Sequence, residues 1–494
     1  MTKPAFWALE PSALHNDRLD ALIAGMLLAA TIVTRVPFRT TVLFNWDSAN
    51  FALATRFYDV TQHHPHPPGY LLYVAVANLL LPLTGDANAA LVSVSLILSA
   101  FAPPLTYLLG AALFNRLTGI AGGLFVLTSV TFWSYGGIAL AYPALALFSA
   151  WVAWSAYRTA WQGDRGAWLP LAIGYGLGAG FRPDLALFLG PIFLAGLSRL
   201  GRRRAAAALA VAGGCVLAWL VPTVALSGGP REYWAVLSAY ADRDVLDRYA
   251  STRGGLSALF FTVRDLVSYT WYSLYALVLP LAAGAVLVVV RRPRPSPRWL
   301  FFALWLTPML LFYVFVHIGD PGYVFIFLPA LAVLAGLAVV ELALALRPID
   351  PVALAGVAIV VIALANTAIF LGYPRLLTAQ GVRASDRQLA AKLEYVRALP
   401  NDETILLLSY ESYRHLQYYL PDRTASLWVD PFAPTPTTTA LSPRTRWLVL
   451  VDNRLAGLAG NRLGAELIDG VAMTRVPVEP GQALTFGAGK LSLD

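Results

Sequence analysis

Residues 351–373 read PVALAGVAIVVIALANTAIFLGY and contain no charged side chain. A helix of about 20 apolar residues spans the roughly 30 Å hydrocarbon core of a bilayer, so this stretch predicts a transmembrane helix. Other apolar stretches precede it at residues 19–36, 68–84, 89–113, 119–136, 138–157, 168–198, 204–226, 269–290, 299–316 and 321–346. Together with 350–373 they predict an all-α, polytopic membrane domain of about eleven transmembrane helices.

The stretch at 168–198 is too long for one ordinary span, and Arg182-Pro183-Asp184 interrupts it. Because proline lacks the N–H that a helix interior needs, this stretch predicts either one broken helix or two short ones. An arginine inside a membrane-length stretch is by default a candidate functional residue. Alternatively, Arg182 pairs with Asp184 or faces the headgroups of the cytoplasmic leaflet.

The composition excludes several classes of protein. Of the 494 residues, 58% are hydrophobic and 13% are charged, and neither a soluble single-core domain nor a disordered chain has such a composition. The net charge is +8, but no basic segment with interleaved aromatic residues is present, so nucleic acid is not an expected partner. Cys215 is the only cysteine, which excludes an intrachain disulfide and a cysteine metal site.

Arginine clusters orient the domain, because loops rich in Arg stay cytoplasmic. One loop contains Arg202, Arg203 and Arg204, another contains Arg291, Arg292, Arg294 and Arg298, and Arg347 closes a third. Two spans separate each of these loops from the next. The pattern predicts a cytoplasmic N-terminus and three extracytoplasmic segments: the loops 37–67 and 227–268 and the tail 374–494. The 227–268 loop mixes charged and aromatic residues and predicts helices on the membrane surface.

The sequence predicts two domains, a transmembrane domain at 1–373 and a small α/β domain at 374–494. In the tail, 385–399 has the spacing of an amphipathic helix, and 404–409 and 447–451 are apolar runs of strand length. Residues 411–420 predict a second helix. The Pro/Thr-rich stretch 431–443 predicts a loop.

The first outer loop contains Asn45-Trp46-Asp47-Ser48-Ala49-Asn50. A carboxylate beside a tryptophan at the membrane surface is suited to take a proton from a hydroxyl group, which makes Asp47 the candidate catalytic residue. Alternatively, Asp47 caps a helix that starts at Ser48, and the two roles are compatible. Arg56 follows in the same loop as a candidate cationic ligand for a phosphate.

The same loop ends in His63-His64-Pro65-His66-Pro67-Pro68-Gly69-Tyr70. Imidazole is a common metal ligand, but adjacent histidines rarely face one ion and no second acidic cluster is obvious, so no metal is predicted unless its other ligands are remote. We expect at least one of these histidines to hydrogen-bond a phosphate or an acceptor sugar. His66 is the first choice because it adjoins the rigid Pro-Pro-Gly turn.

A second polar turn, His317-Ile-Gly-Asp320-Pro-Gly-Tyr323, falls on the outer side in this orientation. It is either part of the substrate site or a plain Gly-Pro turn with an interfacial tyrosine. The candidate substrate-binding residues are thus Arg56, His64, His66, Tyr70, Arg182, His317, Asp320 and Tyr323.

Asp47 and the His66-Pro67-Pro68-Gly69-Tyr70 sequence together resemble the GT-C superfamily of integral membrane glycosyltransferases. The nearer likeness is to the protein O-mannosyltransferase-like group, glycosyltransferase family 39 and its relatives, with a His-Pro-Pro-Gly-Tyr-Pro-Leu signature. The similarity covers about residues 40–200 and the segment 322–329. The family carries Asp-Glu in the first loop and proline after the tyrosine, whereas this chain has Ser48 and Leu71 at those positions.

The resemblance implies a GT-C-like fold and an inverting glycosyltransferase. We expect no cofactor other than a divalent metal with remote ligands, and we expect the protein in a bacterial inner membrane. The implied donor is a sugar on a polyprenyl phosphate, and the acceptor is a hydroxyl of a lipid, glycan or protein at the extracytoplasmic face. Asp47 occupies the family's catalytic acid/base position. The physical chemistry agrees, because sugar transfer needs a base and the leaving lipid phosphate needs cationic or hydrogen-bonding groups. Arg56, Arg182 and His317 are available by type for the phosphate.

Two other classes of function remain open. The first is a transporter or flippase of lipid-linked glycans, although transporters often show internal repeats and no repeat is visible in this sequence. The second is a membrane-anchored binding protein in which the tail is the working part.

Overall fold

The computed structural model describes residues 17–246, 250–292, 296–346, 350–409, 412–423, 426–429, 435–452, 455, 466–468, 473–487 and 489–493. Arg294 and Arg347 of the predicted cytoplasmic loops lie outside these residues, as do parts of the predicted 411–420 helix and 431–443 loop. The chain divides into two compact units. The first is Met1–Arg39 with Phe57–Val382, and the second is Thr40–Arg56 with Arg383–Asp494.

In chain order, the helices are α1 (Asp17–Arg35), α2 (Trp46–Arg56), α3 (Leu71–Thr84), α4 (Ala87–Leu113), α5 (Arg116–Thr128), α6 (Val130–Tyr135), α7 (Pro143–Ala160), α8 (Trp168–Phe181), α9 (Asp184–Ser198), α10 (Arg202–Leu226), α11 (Pro230–Tyr240), α12 (Ser251–Leu274), α13 (Val278–Arg291), α14 (Pro297–Phe315), α15 (Leu328–Ala345), α16 (Pro351–Gly372), α17 (Ala379–Ala398) and α18 (Tyr413–Tyr419). Short 3₁₀ turns lie at Val36–Phe38, Val60–Gln62, Tyr275–Leu277 and Pro321–Ile326, and a π-helical turn lies at Ala241–Leu246.

The first unit is an all-helical, polytopic membrane domain, as predicted. Its segments that are long and apolar enough to cross a membrane are Asp17–Phe38, Ala87–Leu113, Arg202–Leu226, Arg253–Arg291, Pro297–Phe315, Leu328–Ala345 and Pro351–Gly372. Four shorter apolar helices, α3, α5, α8 and α9, accompany them. The predicted 168–198 stretch is two short helices, because α8 ends at Phe181 and α9 begins after Pro183.

Three predicted boundaries in this unit are wrong. The stretch 119–136 is not one helix, because the chain breaks at Ser129, whose hydroxyl donates to the carbonyl oxygen of Ser273 at 2.8 Å. The stretch 138–157 becomes helical only at Pro143. The predicted border between loop and span at 268 lies inside α12, where large apolar residues such as Leu256 and Val267 continue the exposed face.

The second unit contains a small mixed α/β domain, as predicted. Its strands are β1 (Thr404–Leu408), β2 (Ser426–Trp428), β3 (Thr437–Ala440), β4 (Trp447–Leu450), β5 (Glu466–Ile468), β6 (Met473–Pro477), β7 (Ala483–Gly487) and β8 (Lys490–Leu493). One sheet has the order β2-β1-β4-β6-β5, with β1 parallel to β2 and β4 and with β6 antiparallel to its neighbours. The second sheet, β3-β7-β8, is antiparallel.

The five-stranded sheet is buried on both faces. Alternation along β1 directs Leu407 into one apolar cluster and Leu406 and Leu408 into another, where they meet Val396 of α17 and Leu416 of α18. The predicted loop at 431–443 is wrong for residues 437–440, which form β3 paired with β7. Threonine is β-branched and favours strands, which explains the difference.

Candidate functional site

The Pro-Pro-Gly turn before α3 is held by side chains from three parts of the first unit. The hydroxyl of Tyr58 donates to the carbonyl oxygen of Gly69 at 2.8 Å, and that of Tyr233 on α11 donates to the carbonyl oxygen of Pro68 at 2.9 Å. The amide of Val60 donates to the hydroxyl of Ser227 at 3.2 Å. The turn that presents His66 is therefore held by Tyr58, by Tyr233 of α11 and by the contact of the neighbouring Val60 with Ser227 before that helix.

Gly69 cannot accept a side chain without disturbing this turn. Its φ is +121°, and an added Cβ would lie 2.6 Å from the hydroxyl oxygen of Tyr58 and 2.9 Å from the methyl carbon of Thr223. We expect Gly69→Ala to lower the free energy of unfolding by about 1–3 kcal/mol and to reduce activity by displacing His66. Thermal unfolding in detergent micelles measures the first effect.

Gly85 supplies the matched control for this substitution. Its φ is +79°, but no atom lies within 4 Å of an added Cβ. Gly85→Ala therefore carries the conformational cost without the clash, and we expect a smaller loss of stability and unchanged activity. Equal losses for the two variants would contradict the role given to the contacts around Gly69.

Arg182 lies at the break between α8 and α9 and is buried. Its Nη2 is 2.9 Å from Oδ2 of Asp184, and its Nε donates to Oδ1 of the same carboxylate at 3.3 Å. Its guanidinium carbon lies 4.4 Å from the ring centroid of Tyr142, 5.1 Å from that of Tyr323 and 5.3 Å from that of Tyr70. A buried cation is thus compensated by one carboxylate and the faces of three aromatic rings.

Two predicted histidines adjoin this group. The ring of His66 is 4.8 Å from that of Tyr70, and the ring of His317 is 5.5 Å from that of Tyr323, measured between centroids. We call Arg182, Asp184, Tyr70, Tyr142, Tyr323, His66 and His317 the Arg182 cluster. It joins five of the predicted substrate-binding residues, which lie up to 257 positions apart in sequence, from His66 to Tyr323.

Asp320 fixes the turn that carries Tyr323. Its Oδ1 accepts from the hydroxyl of Tyr135 at 2.5 Å and from the amide of Gly322 at 2.7 Å, and it caps the 3₁₀ turn Pro321–Ile326. An added Cβ at Gly322 would collide with the ring of Tyr142. Asp320 therefore holds the turn Pro321–Ile326 in place through these hydrogen bonds. The turn packs against the Arg182 cluster through Gly322 and Tyr142.

Tyr70 and Tyr323 of the cluster stay protonated over the physiological range. Burial raises the pKa of Tyr323 to about 12, although the positive charge of Arg182 opposes the shift. Burial likewise raises the pKa of Tyr70 well above its usual value. Neutral phenols offer hydrogen-bond donors to an anion while their faces remain available to a cation.

His64 lies beside the turn and is buried. Its main chain pairs with Asp59, with N–H to O distances of 2.9 Å and 2.6 Å in the two directions. Among the described residues, no group of three or more His, Cys, Asp or Glu side chains is arranged to hold a metal ion.

Asp47 belongs to the second unit and lies in the first turn of α2. The helix is capped by Asn45, whose side-chain oxygen accepts from the amide and the hydroxyl of Ser48 at 3.0 Å each. The alternative prediction, that Asp47 caps a helix starting at Ser48, is therefore wrong: the helix starts at Trp46 and its cap is Asn45. Asp47 is half-buried, and the N-terminal end of a helix favours a negative charge there.

Arg56 ends the same helix and is exposed. Its Nη1 donates to the carbonyl oxygen of Tyr418 at 3.0 Å, and its guanidinium carbon lies 3.9 Å from the centroid of the Tyr418 ring. Trp46 stacks on Tyr413 with 6.4 Å between centroids. Tyr413 and Tyr418 were not selected as site residues from the sequence. No local sequence signal links their helix to a loop more than 350 positions earlier.

No protein-family model matches the chain, and no curated protein matches it. Several solved structures are similar to the chain. The chain is similar to ArnT from Cupriavidus metallidurans bound to undecaprenyl phosphate, with a TM-score of 0.53 and 14% identity over 94% of this chain and 98% of that one. The chain has the GT-C fold.

A second solved structure with the GT-C fold comes from an archaeon. It is the Archaeoglobus fulgidus oligosaccharyltransferase tethered with an acceptor peptide containing the NVT sequon, with a TM-score of 0.53 and 12% identity over 88% of this chain and 69% of that one. ArnT in the apo state gives a TM-score of 0.53 and 14% identity over 93% and 98%. In the GT-C fold of this chain, the segment with Asp47 follows α1 directly, and the Pro-Pro-Gly turn opens α3.

Proposed function

We propose that the protein is a membrane glycosyltransferase that moves a sugar from a polyprenyl-phosphate-linked donor to a hydroxyl acceptor at the extracytoplasmic face, with inversion. One observation carries the proposal: the chain shares its fold, over 94% of its length, with a protein bound to undecaprenyl phosphate. The carboxylate at the start of α2 and the cation of the Arg182 cluster supply the two kinds of group that such a transfer needs.

In this proposal Asp47 is the base. Its carboxylate takes the proton of the acceptor hydroxyl while the acceptor oxygen forms a bond to the anomeric carbon. The bond from that carbon to the phosphate oxygen breaks, and the electron pair leaves with the polyprenyl phosphate. Attack on the face opposite to the leaving group inverts the anomeric configuration, and one carboxylate suffices for a single displacement.

The leaving phosphate gains negative charge in the transition state, so it needs donors that are already in place. We assign this role to His66, His317 and the phenol groups of Tyr70 and Tyr323. Arg182 supports them through the faces of the rings and adds positive charge in a site of low dielectric constant. The polyprenyl tail would lie between apolar helices of the membrane domain.

The test uses the purified full-length protein in proteoliposomes with radiolabelled undecaprenyl-phosphate hexoses and pentoses. We expect at least one donor to release undecaprenyl phosphate and to form a new glycoside with an added membrane lipid, glycan or protein extract. Mass spectrometry of glycolipids and glycoproteins from cells with and without the protein then identifies the acceptor. Movement of the intact donor across the vesicle membrane without a new glycoside would instead support transport and overturn the proposal.

A further inference from the structure

The segment that precedes Asp47 is bound by three side chains of the C-terminal part of the second unit. The carboxylate of Asp386 on α17 accepts from the amides of Thr41 and Val42 at 2.9 and 3.0 Å, and from the hydroxyl of Thr41 at 2.7 Å. The hydroxyl of Tyr419 accepts from the amide of Leu43 at 2.9 Å. Nε2 of His415 lies 3.0 Å from the carbonyl oxygen of Leu43. We call Asp386, His415 and Tyr419 the clasp.

Helix α2 itself is anchored to α18 at both ends. Trp46, the neighbour of Asp47, stacks on Tyr413, and Arg414 lies over the Trp46 ring at 5.4 Å. At the other end Arg56 covers the ring of Tyr418 and binds its carbonyl oxygen. Every residue of the helix from Ser48 to Ala54 is buried.

We propose that the C-terminal domain positions the catalytic base, with the clasp residues as positioning residues that act through Asp47. The inference rests on the proposed function, since it takes Asp47 to be the base. A base must be held within a fraction of an ångström of its productive place, and a helix supported by a second layer of hydrogen bonds can do this better than a free loop. Asp386, His415 and Tyr419 would thereby serve the reaction without touching substrate.

The chemistry of the clasp explains why these residue types are used. Segment 41–43 has no regular partner strand in the described residues, so its amides need other acceptors. A carboxylate that accepts two amides and a hydroxyl forms charge-assisted hydrogen bonds, which are stronger than neutral ones. Tyr419 and His415 then fix the register of Leu43, two residues before the Asn45 cap.

The first measurement is hydrogen–deuterium exchange on the full-length protein, which needs no substrate. We expect Asp386→Asn and Tyr419→Phe each to raise the exchange rate of the amides at 41–43 by about tenfold, because each removes or weakens a hydrogen bond to those groups. Exchange in β1 and β4 should not change. Tyr418→Phe is the matched control, because the contacts with Arg56 use the ring and the carbonyl oxygen of Tyr418.

The second measurement is turnover of the undecaprenyl-phosphate sugar that the wild-type protein consumes. We expect the two clasp variants to lower kcat by about tenfold, with KM for the donor within twofold of wild type, since only the base is displaced. In an Asp47→Asn background, Tyr419→Phe should have no further effect, because a positioning residue loses its role with the group it positions. A general loss of folding would lower activity in both backgrounds.

Faster exchange at 41–43 with unchanged kcat would overturn the positioning role, as would unchanged exchange in both clasp variants. An additive loss in the Asp47→Asn background would show that Tyr419 acts independently of Asp47 and would also overturn it. Absence of turnover by the wild-type protein with every donor would overturn the proposed function instead, and the exchange pattern would then describe a purely structural contact.

Discussion

We expect Asp47→Asn to lower sugar transfer by about a hundredfold to ten-thousandfold, the usual contribution of a general base. The amide has nearly the same shape as the carboxylate but cannot take the proton of the acceptor hydroxyl. The helix should survive the change, because Asn45 and not Asp47 provides the cap. The loss should therefore fall on kcat rather than on folding.

Release of undecaprenyl phosphate from the radiolabelled donor measures the effect, and thermal unfolding in the same detergent measures the fold. Asp422→Asn is the matched control, because it removes an exposed carboxylate from the same unit. We expect both variants to unfold within about 2 °C of wild type, since surface substitutions away from caps and cores rarely change stability by more than about 0.5 kcal/mol. Full turnover by Asp47→Asn would remove this residue from the mechanism.

The membrane domain could be predicted from the sequence because its signal is local. A stretch such as 351–373 needs no partner to be recognised, since the bilayer thickness sets its length and every backbone group is satisfied within the helix. The break at Arg182-Pro183-Asp184 was equally local. The positions of helix ends were harder to predict, because tertiary contacts accompany them: the break at Ser129 coincides with a hydrogen bond to Ser273, 144 residues later.

The candidate site was predictable only in part, because only some of its residues stand out in their local sequence. His66, Tyr70, Arg182, His317 and Tyr323 could each be selected because a polar or aromatic residue in a turn between apolar stretches stands out. Tyr142, which lies closest to the guanidinium of Arg182, could not, because it sits within an apolar stretch where an aromatic residue is ordinary.

The environment of Asp47 was not predictable at all. The contact between Leu43 and Tyr419 joins residues 376 positions apart, and no periodicity or motif connects the two segments. The sequence predicts a polar outer loop at 37–67, whereas residues 46–56 form a helix that is buried at every position from Ser48 to Ala54. Such pairings are set by tertiary packing, which local propensity does not encode.

The second large effect is expected at Arg182. Arg182→Met should lower the free energy of unfolding by about 3–5 kcal/mol, the cost of removing one partner from a buried ion pair, with the lower end favoured because Asp184 is partly exposed. It should also abolish most of the turnover, since the rings of Tyr70, Tyr142 and Tyr323 lose the cation that they surround. Arg203→Met, at an exposed position in the first turn of α10, is the control.

Stability and function can be separated at this position by removing both charges. Replacing a buried ion pair with apolar residues of similar size is often neutral or stabilising, so Arg182→Met/Asp184→Leu should recover most of the lost unfolding free energy. Its turnover should stay low if the cation supports the phenol groups that receive the leaving phosphate, because stability alone does not restore that charge. Recovery of turnover together with stability would instead make Arg182 a structural residue, and the phosphate would then have to be bound by His66 and His317 without its help.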